Sequence, residues 1–199
     1  MFSQSDEEKY ILEYFGEYRG TFIDIGCNDG ITLSNTRAIA LLGWSGVLVD
    51  PSPLAYIKLK ETYKDHKGFY LYNLAIGTHN GRMKFYESGT HLNKGDVGLL
   101  STGSEDELKR WPGERFEERE VKCFRWKTFL NRLTIKKFDF ISLDAEGYDL
   151  KILEQMDLTD TKLVCIEWNS KPELKDAYDK LMPDFKGIYT SSENLIYAR

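Results

Sequence analysis

The sequence has few cysteines and no long apolar segment. Its three cysteines, Cys27, Cys123 and Cys165, are widely spaced, so no Cys-x-x-Cys pair is present for a zinc or redox centre. Isolated cysteines suit a reducing compartment, and we expect a cytoplasmic protein. No apolar run approaches the roughly 18 residues that cross a bilayer, and the acidic start at residues 6–8 is unlike a secretory signal peptide. We therefore expect neither secretion nor membrane insertion.

Positive charge is also in the minority. The chain has 27 Lys and Arg against 32 Asp and Glu, which gives a net charge of −5. Binding to nucleic-acid phosphates needs a basic surface, so we expect no nucleic-acid partner. With 41% hydrophobic and 30% charged residues the chain is expected to be globular. Its 199 residues fit a single domain, residues 1–199.

What the sequence does contain is an alternation of strand-like and helix-like segments. Strand-like runs occur at residues 21–25, 47–49, 69–76, 81–86, 119–124, 138–143 and 163–168. Helical segments separate the first three runs, and Ser52 and Pro53 are a typical helix start. This order predicts an α/β fold with a parallel sheet and helices on both faces.

Two further segments flank the predicted sheet elements. Ser5 and Glu8 have the spacing of a capping box, which predicts an N-terminal helix over about residues 5–16. Residues 87–118 are polar and contain several Gly and Ser. A loop of that length within a compact domain is typically a lid or binding loop. We expect it to be mobile in the free protein and better ordered with ligands bound.

Three segments that follow the first strands are candidates for a nucleoside site, because ligands of open α/β sheets bind beyond the carboxyl ends of the strands. The first turn contains Gly26 and Gly30, which permit close approach of a ligand to the backbone. Asp24 is placed to meet the ammonium of a bound amino acid, and Asp50 to accept both hydroxyls of a ribose. Small residues at 73–77 leave room for an adenine ring.

The same turn is unsuited to a cofactor that contains phosphates. The Gly-x-Gly-x-x-Gly pattern of dinucleotide sites requires glycines where this chain has Asn28 and Ile31. The sequence also lacks a Gly-x-x-x-x-Gly-Lys-Ser/Thr loop. S-adenosylmethionine has a ribose, an adenine and an amino-acid group but no phosphate, and it is the cofactor that we expect.

Five segments, taken in order, give a family resemblance. They are FSQSDEE at residues 2–8, FIDIGCNDG at 22–30, SNT at 34–36, GWSGVLVDP at 43–51 and ISLDAEG at 141–147. They resemble SQ-x-GED, FVDIGANDG, SNT, GWxGVLVEP and LKIDVEG of the FkbM family of S-adenosylmethionine-dependent methyltransferases. The resemblance extends over nearly the whole sequence.

The resemblance implies a class I, Rossmann-like methyltransferase fold with a seven-stranded, mostly parallel sheet. It also implies O-methylation, typically of natural products or saccharides. Asp6 replaces a Gly of the family pattern, and Asp50 replaces a Glu with a shorter carboxylate. Together with the motif positions, the cofactor-binding residues that we predict are Gln4, Asp24, Gly26, Asn28, Gly30, Ser34, Asp50, Pro51, Ala75, Ile76 and Asp144.

Carboxylates near the predicted cleft are the candidates for catalysis. Methyl transfer to a hydroxyl requires alignment of the reactants and removal of the hydroxyl proton. Asp144 and Glu146 follow the fourth sheet strand, and Glu167 lies at the end of the fifth. One of them acts as a general base, or the three together hold Mg²⁺, which the sequence does not require. His91 in the long loop is a further candidate base, and the structural alternative for Asp144 or Glu146 is helix capping.

The methyl acceptor that we expect is a small molecule or a glycan, with Trp111 and Trp168 as candidate platforms for a sugar ring. One alternative is a nucleic-acid methyltransferase, which the acidic charge and the absence of an Asn/Asp-Pro-Pro-Tyr motif disfavour. Another is a non-catalytic nucleoside-binding module, which would not need Asp144 and Glu146. A dehydrogenase is disfavoured by the missing glycines.

Overall fold

The computed structural model, which describes residues 1–92 and 96–199, is built around a seven-stranded sheet. The strands of this sheet and of a smaller second sheet are, in chain order, β1 (Thr21–Ile25), β2 (Ser45–Val49), β3 (Phe69–Tyr72), β4 (Ala75–Ile76), β5 (Gly81–Ser88), β6 (Phe116–Phe124), β7 (Phe140–Leu143), β8 (Leu163–Glu167), β9 (Lys186–Thr190) and β10 (Asn194–Ala198). The large sheet has the order β3-β2-β1-β7-β8-β10-β9. All neighbours are parallel except β10, which runs antiparallel to both β8 and β9. The predicted fold class is confirmed.

Helices cover both faces of this sheet. They are α1 (Glu7–Phe15), α2 (Arg37–Leu41), α3 (Pro53–Tyr63), α4 (Glu105–Leu108), α5 (Trp126–Leu130), α6 (Asp149–Leu153) and α7 (Pro172–Leu181). Successive residues of a strand point to opposite faces, so Phe22 packs in the layer of α1, α2 and α3, whereas Ile23 packs in the layer of α5, α6 and α7. Among the described residues, no helix has both the length and the apolarity needed to cross a membrane.

The strand order reverses between β1 and β7, and this reversal places the loops after both strands side by side. Asp24 pairs in register with Ser142, and the amide of Asp144 donates to the carbonyl of Ile25 at 2.9 Å. A Cβ at Gly26 would lie 1.6 Å from the carbonyl oxygen of Asp144, and Gly26 has a φ of +86°. Only glycine allows the two loops to meet at this distance.

The predicted third strand, residues 69–76, is divided in the structure. β3 ends at Tyr72 because the Asn73 side chain turns the chain, donating to the carbonyls of Asp50 (2.9 Å) and Pro51 (3.0 Å). Ala75 and Ile76 instead form β4 of a second sheet, whose order is β4-β6-β5. The predicted extra strands at 81–86 and 119–124 correspond to the longer, antiparallel pair β5 and β6.

The two flanking segments also differ from their predicted bounds. The N-terminal helix begins at Glu7 rather than Ser5, because Ser3, not Ser5, accepts from the amide of Glu8 at 3.1 Å. Strands β5 and β6 extend into the two ends of the predicted 87–118 loop, and the short helix α4 interrupts it. Its residues 93–95 lie outside the described residues.

Candidate active site

A cavity of about 270 Å³ lies at the carboxyl ends of β1, β2, β7 and β8, beneath the second sheet and the segment that connects β5 to β6. The predicted site residues that line it are Gln4, Asp24, Gly26, Asn28, Ser34, Asp50, Pro51, Ala75, Ile76, His91, Asp144, Glu146 and Glu167. Gly30 is not among the lining residues. A Cβ there would lie 2.6 Å from the Tyr63 ring, so Gly30 serves the packing of α3.

Asp50 is fixed at the end of β2 by two backbone amides. Its Oδ2 accepts from the amide of Asn28 and its Oδ1 from the amide of Ser52, both at 2.8 Å. Burial raises the pKa of Asp50 to about 7, although these two hydrogen bonds oppose the increase. Because each carboxylate oxygen has two lone pairs, each keeps an acceptor position for a ligand hydroxyl.

Asp24 and the SNT motif lie next to each other at the end of β1. The hydroxyl of Thr36 donates to Asp24 Oδ2 at 2.6 Å, and burial raises the pKa of Asp24 to about 6. Ser34 has a local role as well, because its Oγ accepts from the amides of Thr36 (3.3 Å) and Arg37 (3.1 Å) at the start of α2. Asn35, which sequence analysis missed, lines the cavity with a buried side-chain oxygen that has no partner among the described residues.

Asp144, Glu146 and Glu167 form a compact carboxylate cluster, with one oxygen of each within 4.8 Å of the others. Burial, reinforced by the neighbouring carboxylates, raises the pKa of Asp144 to about 8. Burial and Asp144 together raise the pKa values of Glu146 and Glu167 well above their usual range. Burial and mutual repulsion therefore disfavour simultaneous ionisation of the three carboxyl groups, and an ionised member of the cluster is able to accept a proton from a ligand hydroxyl.

The helix-capping alternative for Asp144 and Glu146 is wrong. No side-chain capping hydrogen bond is present at the start of α6, and Asp149, its first residue, accepts instead from the amides of Ala145 (2.7 Å) and Gly147 (3.2 Å) in the preceding loop. It thereby braces the loop that carries both candidate catalytic residues. Asp144 and Glu146 line the cavity instead of stabilising α6.

Strained backbone is concentrated around this cavity. Among the described residues, the non-glycine residues with positive φ are Asn28, Leu33, Glu146, Asn169 and Ser170. The first four line the cavity, and Ser170 follows Asn169 directly. Left-handed conformations of this kind cost roughly 1–3 kcal/mol each and tend to occur where function requires them.

The segment between β5 and β6 is tied over the carboxylate cluster. The Thr102 hydroxyl donates to the carbonyl of Glu146 at 2.7 Å, and the Arg110 guanidinium lies 3.9 Å from the Glu146 carboxylate. Arg110 also pairs with buried Glu107, which pairs in turn with Lys171 at 3.0 Å. The position of Arg110 beside the cluster is not predictable from the sequence, because its contact with Glu146 forms only when the chain folds.

His91 and Trp111 lie together at the outer part of the cavity. Their rings are 5.2 Å apart at an angle of 72°, and His91 Nδ1 lies 3.4 Å from a Glu114 carboxylate oxygen. The Trp111 indole nitrogen is buried and has no partner among the described residues. Trp168, in contrast, is not a lining residue, and its indole donates to the carbonyl of Ser191 at 2.9 Å. Only Trp111 of the two predicted platforms is therefore available to a ligand in the cavity.

One protein-family model matches most of the sequence. The family model of the methyltransferase FkbM domain matches residues 24–192 of the chain. The match includes every strand from β2 to β9 and all the carboxylates of the cluster. No curated protein matches the chain.

Solved structures share the fold at low sequence identity. A ribosomal protein L11 methylase from Lactobacillus delbrueckii subsp. bulgaricus superimposes with a TM-score of 0.51 at 14% identity, covering 96% of this chain and 75% of that chain. A putative RNA methyltransferase from Pyrococcus horikoshii gives a TM-score of 0.52 at 12% identity, covering 97% and 80%. These similarities show the class I methyltransferase fold.

Proposed function

This chain belongs to the methyltransferase FkbM domain family and is an S-adenosylmethionine-dependent methyltransferase, and we propose that it methylates a hydroxyl oxygen of a saccharide or another small hydroxylated molecule. The observation that carries the proposal is the cluster of Asp144, Glu146 and Glu167 inside the cavity. An alcohol must lose its proton when its oxygen is methylated, and a carboxylate within the cavity is suited to accept that proton.

The cavity fits the methyl donor. Asp50 has acceptor positions for the ribose hydroxyls, and the small and apolar residues Leu74, Ala75 and Ile76 offer space for the adenine. The unpartnered oxygen of Asn35 and the carboxylate of Asp24 suit the ammonium group of the donor. When bound, the donor supplies an activated methyl group on a sulfonium, so that the methyl carbon bonds to the acceptor oxygen as its bond to sulfur breaks.

Asp144 is the residue that we assign as general base. Its pKa of about 8 is close to the working range of a base that must be ionised before the reaction and protonated after it. Arg110, beside Glu146, offsets part of the negative charge that develops when the cluster ionises. Asp149 holds the loop of Asp144 in place through the amides of Ala145 and Gly147.

Two features support a saccharide or similar acceptor. Trp111 lines the cavity, and an aromatic ring in that position offers an apolar face on which a sugar ring can stack. The net charge of −5 disfavours a polyanionic acceptor. The two solved structures named as methylases of a ribosomal protein and of RNA share only the fold at 12–14% identity.

A second version of the chemistry has the three carboxylates hold Mg²⁺. The separation of their oxygens, within 4.8 Å, suits a shared divalent cation. The cation would lower the pKa of a bound hydroxyl, and Asp144 would then act as a ligand rather than as a base. The Arg110 guanidinium near Glu146 favours the metal-free version, because it already supplies positive charge to the cluster.

The decisive experiment measures labelled methyl transfer to a panel of small glycans, polyketides and RNA. With an accepted hydroxyl substrate, Asp144→Asn should reduce kcat by about 10²–10⁴-fold, the usual cost of losing a general base, with little change in donor affinity. The rate of the wild type should rise with pH through about 8, because only ionised Asp144 accepts the proton. Loss of activity in EDTA with recovery in Mg²⁺ would favour the metal version. A fully active Asp144→Asn/Glu146→Gln double variant would refute both.

A further inference from the structure

Glu7 is a completely buried carboxylate that the proposed chemistry does not use. It is the first residue of α1, and none of its surface is exposed. Burying a charged carboxylate is unfavourable unless hydrogen bonds replace the water that it loses. The partners of Glu7 therefore indicate what its burial achieves.

The Glu7 carboxylate joins two segments that are distant in the sequence. Its Oε2 accepts from the amide of Ser5 at 2.8 Å. Its Oε1 accepts from the hydroxyl of Ser191 at 2.8 Å and from the side-chain amide of Asn194 at 3.2 Å. One segment precedes α1, and the other comprises the turn between β9 and β10 and the first residue of β10.

The first of these segments carries Gln4, which lines the cavity. Gln4 is bracketed by two anchors, since Ser3 forms a parallel bridge with Leu33 and Ser5 donates to Glu7. Residues close to a chain terminus are poorly ordered unless they are tied down. Without Glu7, the amide of Ser5, directly after Gln4, would lose its hydrogen-bond partner.

The second segment carries Glu193, which also lines the cavity. The carbonyl of Glu193 accepts from the amides of Trp168 (2.8 Å) and Asn169 (3.2 Å). These two residues directly follow Glu167 of the carboxylate cluster. The turn that Glu7 binds thus also supports the chain at the end of β8.

We infer that Glu7 is a positioning residue, which holds Gln4 and Glu193 together as one wall of the donor cavity. Gln4 and Glu193 are 189 positions apart, and Glu7 hydrogen-bonds to the segment of each. The inference rests on the donor site of the proposed function, and it does not depend on the identity of the acceptor.

The test compares Glu7→Gln with Glu13→Gln, which changes an exposed carboxylate on the same helix. With one side-chain oxygen instead of two, Gln at position 7 cannot accept from all three donors. We expect the Kd for S-adenosylhomocysteine, measured by calorimetry well below the melting temperature, to rise roughly tenfold in Glu7→Gln, as for one lost charge-assisted hydrogen bond. Hydrogen exchange should quicken at residues 2–6 and 191–194 together, whereas Glu13→Gln should match the wild type in both measurements.

A double-mutant cycle separates positioning from general stability. Gln4→Ala should itself weaken binding, and adding Glu7→Gln should then cost less than it does in the wild type, because the two act through the same wall. A lower melting temperature with an unchanged Kd, or effects that add fully, would overturn the inference. If Glu7→Gln does not fold, Ser191→Ala removes a single partner of Glu7 and the same measurements apply. A wild type that binds no donor would instead refute the donor site itself.

Discussion

At the scale of single residues, Asp50 combines a structural role with a proposed role in ligand binding. Its two oxygens accept from the amides of Asn28 and Ser52, and in the proposed donor site the same oxygens bind the ribose hydroxyls. An amide side chain at this position would turn an N–H toward one of the two backbone donors. Loss of one carboxylate oxygen at position 50 should therefore change both the conformation of the site and its affinity for the ligand.

We expect Asp50→Asn to weaken binding of S-adenosylhomocysteine by about 1–3 kcal/mol, the usual range for charge-assisted hydrogen bonds. Calorimetry measures this change directly. Asp65→Asn is a suitable control, because Asp65 is exposed beyond the end of α3. Unchanged affinity in Asp50→Asn would contradict the assignment of this residue to the ribose.

The three cysteines give a second test at this scale. All three are buried, and burial raises the pKa of each thiol, with the carboxylates of Asp24 and Asp50 adding to the effect at Cys27. The thiolate is the reactive form. We expect a thiol reagent such as DTNB to label none of them rapidly in the folded protein and all three after unfolding. Rapid labelling of Cys27 in the native state would show that the loop after β1 opens more than the structure indicates.

At the scale of elements, the parts that follow local rules were predictable and the others were not. β1 and β2 are short, mostly apolar runs that are buried on both faces, so their positions could be predicted from the sequence. The end of β3 depends on the Asn73 side chain and its two carbonyl partners. The placement of α4 beside the cluster involves the ion pair between Glu107 and Lys171, which are 64 residues apart. Such contacts exist only after folding and leave no periodic pattern.

The contact between Glu107 of α4 and Gly147 in the loop after β7 leads to a prediction for the lid, the segment predicted at residues 87–118. Gly147 has a φ of +92°, and a Cβ there would lie 2.8 Å from Cγ of Glu107. Gly147→Ala should therefore push Glu107 away, loosen the segment over the carboxylate cluster and lower methyl transfer, in addition to roughly 1–2 kcal/mol of backbone strain. Hydrogen exchange at residues 96–111 and turnover would report the two effects.

Gly43→Ala is the matched control for this change. Gly43 has nearly the same φ, +93°, but no atom lies within 4 Å of a Cβ placed there. It should show similar destabilisation without faster exchange at residues 96–111. Equal exchange in the two variants would mean that Glu107 does not hold the segment in place. The expected mobility of the lid in the free protein is tested by the same exchange data for the wild type, where strong protection would contradict it.

At the scale of the whole molecule, the buried carboxylates make stability depend on pH. Burial raises the pKa values of Asp24 and Asp149 to about 6, of Asp50 to about 7 and of Asp144 to about 8, from 3.8. At pH values between 3.8 and the raised pKa of each group, the folded chain binds more protons than the unfolded chain. The free energy of unfolding is therefore highest below about pH 6 and decreases as the pH rises through 6 to 8.

We therefore expect the melting temperature of the free protein to fall between pH 5 and pH 8.5. In Asp144→Asn the part of this decrease near pH 8 should be smaller, because an amide does not ionise. Asp106→Asn, which alters an exposed carboxylate on α4, should retain the full decrease. A melting temperature that is flat or rises over this interval would show that the carboxylates are better solvated than the structure indicates. Differential scanning fluorimetry in a series of buffers of equal ionic strength is sufficient.

The segment that contains most of the second sheet, between Ile76 and Cys123, begins and ends at neighbouring positions. Ala75 pairs with Cys123 and Ile76 with Phe124, so the chain between them departs from and returns to adjacent strands. A segment whose two ends meet in this way can be replaced or lengthened without moving the framework that it leaves. Because this segment carries His91, Arg110 and Trp111 to the outer part of the cavity, an ancestral protein could acquire a new methyl acceptor by exchanging one continuous stretch of gene while inheriting its donor-binding half unchanged. The same junction offers a place to graft the corresponding stretch of a relative and to transfer substrate preference with it.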